Sequence, residues 1–190
     1  DPHPLVFLPT MEKLITIGRD FVGAANRDAF ADFMDQALAE RFAQVGADAR
    51  PDDSEAITQM RPRLLRALGE FGSDESTRKN AVRLTDKYFA DPESVSPGLA
   101  LEAMRVTSMN DDGAKYKQYR EAYLGSTSET QKSGILSAIY FDNPKVVQQH
   151  LDFSISPAVP AGDAAKGVAM YGAVLDNQAV LYDWLEKNLD

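Results

Sequence analysis

Apolar residues recur along this chain at steps of three and four, broken by short polar turns, which is the periodicity of amphipathic helices. The pattern is plainest between Leu64 and Phe89. Leu64, Leu65, Leu68 and Phe71 share one helical face, and Gly72 ends it where a left-handed residue is cheapest. Ser73 is placed to cap the next helix. Asp74 and Glu75 stand in its first turn, where the helix dipole favours anions, and Ala81, Val82, Tyr88 and Phe89 form its apolar face. The product is a helical hairpin with two apolar faces. Neither helix buries its stripe alone, so the unit needs similar neighbours.

The rest of the chain supplies them. Three prolines between Asp1 and Pro9 predict an extended lead-in over residues 1–9, with Leu5 to Leu8 packing. Thr10 then caps a helix carrying Leu14, Ile15, Gly18, Phe21 and Val22, which ends near Ala25. Asn26 opens the next, with Phe30, Phe33, Met34, Ala37, Leu38 and Val45 on one side and Gly46 just past its end. A polar segment, 47–53, leads to a helix bearing Ile57, Met60, Leu64 and Leu68. Pro62 either kinks that helix or marks the start of one that a loose turn precedes.

Beyond the central hairpin, Asp91 and Pro92 end the helix, and Ser96 with Pro97 reads as a cap followed by proline in the first helical position. Leu99, Ala103, Met104 and Thr107 lie on the helix that follows. A turn at 110–113 separates it from one presenting Tyr116, Tyr119 and Tyr123. Ser126 and Glu129 have capping-box spacing ahead of Ile135, Leu136 and Ile139. Asp142-Asn143-Pro144 is a tight turn, followed by Val146, Val147, His150 and Leu151. After a loop over 156–162, Asp163 caps a helix with Val168, Tyr171, Val174 and Leu175. Asp176-Asn177 makes the last turn, before Val180, Leu181, Trp184 and Leu185.

Turn centres near residues 26, 73, 110, 142 and 176 have the spacing of a repeat protein, and no alternating β-branched run survives anywhere. The pattern predicts an all-α fold: one domain over 1–190, a right-handed superhelix (α-solenoid) of about five antiparallel helical hairpins of HEAT/armadillo-like type. One set of helices lines a concave side. Both sets are amphipathic, so periodicity assigns neither of them to that side.

Composition narrows the partners. In 190 residues, 29 acidic against 20 basic side chains give a formal net charge of −9 and no long basic run, which disfavours nucleic acid and anionic membranes. The chain contains no cysteine, which removes disulfides and thiolate metal sites. That fits a reducing compartment such as the cytoplasm, and a periplasmic or secreted setting also accommodates it. No apolar run reaches the roughly 20 residues of a membrane span, and the first residues lack the basic region of a signal peptide. A start on Asp1 rather than Met predicts a fragment of a longer protein.

Candidate chemistry is sparse. A zinc hydrolase needs clustered ligands, and the chain has two histidines, His3 in the lead-in and His150 on a helix face, where a packed or rim position is expected. The serines fall at caps and turns, so nucleophilic triads have no foothold. Tyr116, Tyr119 and Tyr123 could stack a peptide, but their spacing fits half of an interhelical core better. Asp52-Asp53 and Asp111-Asp112 suit helix starts better than a cation. Arg61, Arg63 and Arg66 gather on a polar side where bidentate contacts could receive a peptide carboxylate, against a default of solvated salt bridges. Gly69, Gly72, Gly98, Gly113 and Gly125 follow no strand and precede no GKS or GKT, so they make no phosphate loop. No residue is assigned a catalytic, metal-binding or substrate-binding role.

The run RPRLLRALGEFG over 61–72, SDESTRKNAVRLTDKYFADPESVSPGLALEAM over 73–104 and YDWLEKNLD over 182–190 resemble the C-terminal helical domain of zinc aminopeptidases of the aminopeptidase N family, including the puromycin-sensitive and endoplasmic reticulum enzymes. The resemblance runs from about Thr10 to Asp190 and is strongest from Leu64 onward. Leu189 stands where an aromatic would be expected. The resemblance implies that chemistry resides in absent N-terminal domains, with zinc on HExxH and a downstream glutamate, and a GxMEN loop gripping the substrate amino terminus. None of those motifs occurs here.

What the resemblance carries over is architectural: a HEAT-like bowl that closes over the active site, limits access by size and contacts the distal peptide. Its partners would be the catalytic domains of the same polypeptide and the peptide substrate, and its cofactor, zinc, would lie in the parent enzyme. A terminal repeat ending on an exposed Trp184 face is a further expectation of a fragment. Two alternatives compete: a free-standing helical-repeat scaffold that binds a protein or peptide, and an enzyme of its own with a carboxylate-only mechanism. The second has no apolar pocket in the sequence to support it.

Overall fold

Burial of periodic apolar faces makes this chain helical throughout. The computed structural model describes residues 4–141, 143–172 and 178–188. Among them are α1 (Pro4–Phe21), α2 (Arg27–Val45), α3 (Glu55–Phe71), α4 (Glu75–Ala90), α5 (Pro97–Met109), α6 (Tyr116–Gly125), α7 (Glu129–Ala138), α8 (Pro144–Ser154), α9 (Ala161–Gly172) and α10 (Gln178–Asn188). Short 3-10 turns occupy Ala24–Asn26 and Pro92–Ser94, and no strand occurs among the described residues. The fold class is all-α, and helix follows helix along the described residues through short turns, as the turn spacing predicts. They group into two compact units, 1–107 and 108–190, with the boundary inside α5.

In the first unit α3 is central: α1, α2 and α4 each pack against it. Its stripe of Met60, Leu64, Leu65, Ala67 and Leu68 is buried, and so are Met11 and Ile15 of α1, Met34, Leu38, Phe42 and Val45 of α2, and Ala81, Leu84 and Tyr88 of α4. Val106 of α5 lies so close to Gly69 that a β-carbon there would collide with it. The packing of α1 on α3 joins helices two apart in the chain, the stacking by which one hairpin rests on the next.

Several local expectations change. The extended lead-in expected over residues 1–9 gives way to helix from Pro4, so Thr10 lies inside α1 rather than at its N-terminal cap. Pro4 occupies the first helical position, where a backbone N–H has no acceptor anyway. Pro9 forfeits one hydrogen bond in a helix held by the burial of Met11 and Ile15. Pro62 lies within one continuous helix from Glu55, which removes the reading in which a helix starts there. The cap of α4 is Asp74, whose carboxylate accepts from the amides of Ser76 and Thr77, while Ser73 is bound to Asp35. Gly72 is not left-handed, with φ −82°; glycine fits there because a β-carbon would meet Asp35 Oδ1 at 2.5 Å and the Leu68 carbonyl at 2.7 Å. Phe33 and Ala37, read as part of the α2 stripe, are exposed.

In the second unit, α6 packs on α7, α7 and α8 on α9, and α8 and α9 on α10. The stacks of α7 on α9 and α8 on α10 repeat the relation of α1 to α3. Val147, Leu151, Tyr171, Leu181 and Trp184 form a buried cluster, flanked by Val168, Val180 and Leu185. Trp184 is therefore not on an exposed face: it packs against α8 and donates its indole N–H to Asp152 at 2.7 Å. Ser128, not Ser126, caps α7 by accepting from the Gln131 amide, and the Ser126 hydroxyl turns instead to the Gln131 side chain. Asn143 caps α8 with Pro144 in its first turn. Helix α9 starts at Ala161, ahead of Asp163, which stands in its first turn. Asp142, Val174, Leu175 and the turn at Asp176-Asn177 lie outside the described residues.

Candidate functional site

The three arginines of α3 do not converge on a ligand. Arg61 is 2% exposed and points inward to the end of α2, where the last carbonyls of a helix lack intrahelical donors. Its Nε donates to the Gly46 carbonyl at 3.0 Å, and its Nη2 donates to the Val45 carbonyl at 3.3 Å and to Asp53 at 2.6 Å. Gly46 supplies the positive φ of 74° that lets the chain turn there. The Arg50 amide and then the Arg61 guanidinium hold the Asp53 carboxyl below the usual carboxylate range. Arg63 reaches Glu12 of α1 at 2.9 Å and the Gln59 carbonyl at 2.9 Å. Arg66 binds Glu70 at 3.0 Å and approaches Glu102 at 3.8 Å, and Glu102 also accepts from Arg105 at 3.0 Å. Burial pushes the Glu70 carboxyl up, against the pull of Arg66 and Arg105. All three arginines form ion pairs, but only Arg63 forms the solvated bridge expected; Arg61 is buried and Arg66 nearly so.

A cleft of about 210 Å³ opens beside this anchor. Phe42 and Leu68 contribute its apolar part, Ala39, Ala43, Gly46 and Ala47 its small-residue wall, and Asp74, Ser76, Thr77 and Asn80 its polar rim. It is smaller than the roughly 300–1,000 Å³ of most small-molecule sites. Its one carboxylate, Asp74, is committed to capping α4, and the Ser76 hydroxyl above all keeps that group below the ordinary carboxylate range. The Ser76 and Thr77 hydroxyls do meet that carboxylate, but as donors in the cap of α4, and they weaken it as a base.

Elsewhere on the first unit, an aromatic patch faces solvent. Phe21 is 78%, Phe33 49% and Ile17 42% exposed. Behind them Phe30 stacks on Phe33 at 6.1 Å and meets Phe71 edge-on at 5.8 Å. Gly18 admits those rings, since a β-carbon there would lie 2.7 Å from Phe71 and 2.8 Å from Phe30. The periodicity of α1 and α2 marked Phe21, Phe30 and Phe33 as apolar, but which apolar positions find a neighbour depends on tertiary packing.

The other candidates are structural. Tyr116, Tyr119 and Tyr123 are buried: Tyr116 and Tyr119 pack edge-on against Phe141 at 5.7 and 5.6 Å, and Tyr123 against Phe153 at 5.4 Å. Asp111 accepts from the amides of Gly113 and Lys115, and Asp112 from the Asn143 side chain. His3 lies outside the described residues. His150 is fully buried between Tyr116 and Tyr171, with ring centroids 6.0 and 5.7 Å away, and desolvation pushes its imidazole down to about 4. Among the described residues no three His, Asp or Glu side chains are grouped as metal ligands would be. No helix among them is long and apolar enough to cross a membrane.

Two networks went unread in the sequence: the Glu70, Arg66, Glu102, Arg105 cluster and the clamp of Asp35 on Ser73. The four-residue step from Arg66 to Glu70 was a visible signal for the first. The second spans 38 positions and had none.

Comparison with known proteins bears on the whole chain. Residues 1–190 match the family model described as ERAP1-like C-terminal domain. The chain is 28% identical over 150 residues to Aminopeptidase M1 of Arabidopsis thaliana, a stretch that covers 76% of this chain and 17% of that protein. The chain thus corresponds to under a fifth of that relative's length.

Proposed function

The chain belongs to the family of ERAP1-like C-terminal domains, and from that premise we propose that it is the C-terminal accessory domain of a zinc-dependent aminopeptidase. In this reading it docks on the N-terminal catalytic domains of the same polypeptide, encloses their active site, and gates or contacts peptide substrates without catalysing hydrolysis itself. The observation that carries the reading is the family match along all 190 residues. The printed name of the Arabidopsis relative supports aminopeptidase as the parent activity.

The side chains that could do chemistry support the accessory role, because each is committed to the fold. Arg61 closes the end of α2, Arg66 serves the Glu70 cluster, and His150 is sealed in a core. Zinc would be held by the catalytic domains. The residues here do not fit it: the one described histidine is walled by aromatic rings, and no carboxylate binds it. The exposed Phe21, Phe33 and Ile17 support docking on another domain, since exposed aromatic groups of this kind recur at interfaces.

The test is hydrolysis of alanyl and leucyl fluorogenic substrates with added zinc, by this chain alone and by the full-length gene product. Activity confined to the full-length product is expected, lowered several-fold there by Phe21→Asp. Activity of the chain alone would overturn the reading, and silence of both would favour a free-standing scaffold.

A further inference from the structure

His150 is a titratable group with no part in the proposed activity, and its surroundings are built to keep it neutral. Its carbonyl takes the single proton of the Ser154 hydroxyl at 2.8 Å. Ser154 Oγ, 3.5 Å from Nε2, is then left as an acceptor, which places the ring proton on Nε2. A backbone hydrogen bond with Gly167, which favours the protonated ring, offsets part of the burial. Nδ1 is consequently bare, buried and without a hydrogen-bond partner. Helix α9 comes down directly on this ring: a β-carbon at Gly167 would collide with Ser154 Oγ and lie 3.3 Å from His150 Nε2. Tyr116 of α6 and Tyr171 of α9 wall the imidazole.

Among the described residues no countercharge is at hand for a second proton. The titratable groups that face the ring are phenols, and burial holds the Tyr116 hydroxyl in its neutral form. On α6, Arg120 lies 4.8 Å over the Phe153 ring and 6.0 Å over Tyr116, and Lys117 pairs with Glu121 in solvent. On α8 itself, Asp152 accepts from Trp184 and Lys145 is exposed. On α9, Asp163 pairs with Lys166 at 2.6 Å. On α10, Asp183, Glu186 and Lys187 are exposed. The segment 139–141 brings only apolar and phenolic side chains.

We propose that His150 is an acid-sensitive latch between α8 and α9: a proton at Nδ1 finds no acceptor in the closed core, so taking it up requires the two helices to part. Mild acid would thereby open residues 108–190 reversibly, from within, while the helices packed around α3 stay closed. The unfolded imidazole takes its proton near 6.5 and the closed one only near 4, so closure is fully favoured above 6.5 and progressively lost as pH falls toward 4.

Hydrogen exchange of the whole chain, corrected for intrinsic rates, tests this. Between pH 7 and pH 5 the protection of α8 and α9 amides should fall roughly 20-fold, that of α2 and α3 should hold, and His150→Gln should abolish the fall. Glutamine keeps an N–H donor and binds no proton. A pH-independent α8, or the same fall in the glutamine variant, overturns the proposal. Should that variant fail to fold, the unaltered chain still decides. The His150 ring resonance, separated from that of His3 by His3→Gln, should show no titration near 6.5 while α8 stays protected. A free titration at 6.5 in a closed core refutes the latch.

Discussion

Both units are held by buried apolar faces, but the helices around α3 add ion pairs between them, whereas those of residues 108–190 add contacts between rings. In the first unit, Arg61 and Asp53, 2% and 8% exposed, tie the end of α2 to α3, Arg83 clamps Asp48 at 2.7 Å, and Arg66 joins Glu70 to Glu102. In the second, Tyr116, Tyr119, Phe141, Tyr123 and Phe153 meet edge to face, and Tyr140 stacks on Tyr171 with planes 13° apart. The same hairpin grammar is therefore fixed in register by two kinds of force. A buried charge is held by specific partners and fails when one of them goes. A ring cluster is held by volume and fails when a hole is made.

The largest effects should come from attacking each kind of contact in its own terms. Arg61→Ala removes a fully buried side chain, leaves the carbonyls of Val45 and Gly46 without their guanidinium donor and Asp53 with the Arg50 amide alone, and should destabilise the first unit by about 3–5 kcal/mol. Tyr119→Ala, at a position with no exposure, should cost the second unit a similar 3–5 kcal/mol or so, by the cavity it leaves. The conservative variants separate the two causes. Arg61→Met keeps the bulk and should recover little, until Asp53→Asn removes the carboxylate charge. Tyr119→Phe keeps the ring and should recover all but about 1 kcal/mol. Urea unfolding, read by hydrogen exchange in α3 and in α6, measures both. If Arg61→Met were as stable as the parent chain, the contrast would collapse.

Acid sharpens the contrast. Asp48, Asp53 and Asp74 have carboxyls held below their ordinary range, by the Arg83 side chain, the Arg50 amide and the Ser76 hydroxyl first of all. Their contribution is complete above the unfolded value of 3.8 and disappears only as pH falls through still lower folded values, well after His150 has taken its proton in an opened core. Glu70 has the opposite sign. Its folded carboxyl is raised above 4.5, so its contribution is present in acid and lost as pH rises through the folded value. Glu70→Gln mimics the neutral form, so it should stabilise the first unit at pH 8 and make little difference at pH 4. Destabilisation at pH 8 would mean that pairing with Arg66 and Arg105 outweighs burial.

How far the sequence announced this fold depends on the range of the interaction. The helices and the tyrosine core follow from three- and four-residue spacing, which is local. Residues 4–9 are helical against the extended expectation because proline's penalty is local too, while the burial of Met11 and Ile15 that outweighs it depends on α3. Ser73 and Ser126 both have capping chemistry, but Asp35 claims the first, and the second turns to the Gln131 side chain while Ser128 takes the cap. Arg61 looked like its neighbours Arg63 and Arg66. Only its distance to the end of α2 makes it an anchor rather than a surface charge. Trp184 read as an exposed terminal face, yet Asp152, 32 positions earlier, gives its indole N–H a partner.

The smallest effect bears on whether the rings of the second unit act by volume alone. Tyr123 is fully buried, its hydroxyl has no hydrogen-bond partner, and desolvation holds that hydroxyl neutral. A buried hydroxyl without a partner has lost its hydration and gained nothing in exchange. Its ring, by contrast, meets Phe153 at 5.4 Å with planes 87° apart and lies under the Lys132 ammonium at 5.9 Å, contacts that phenylalanine retains. Tyr123→Phe should therefore leave stability within about 0.5 kcal/mol of the parent chain or raise it by up to about 1 kcal/mol, with no change in the protection of α6 and α8. A loss of 2 kcal/mol or so would mean that the hydroxyl is anchored, by an ordered water if by nothing else, and that the ring cluster too depends on a specific polar partner.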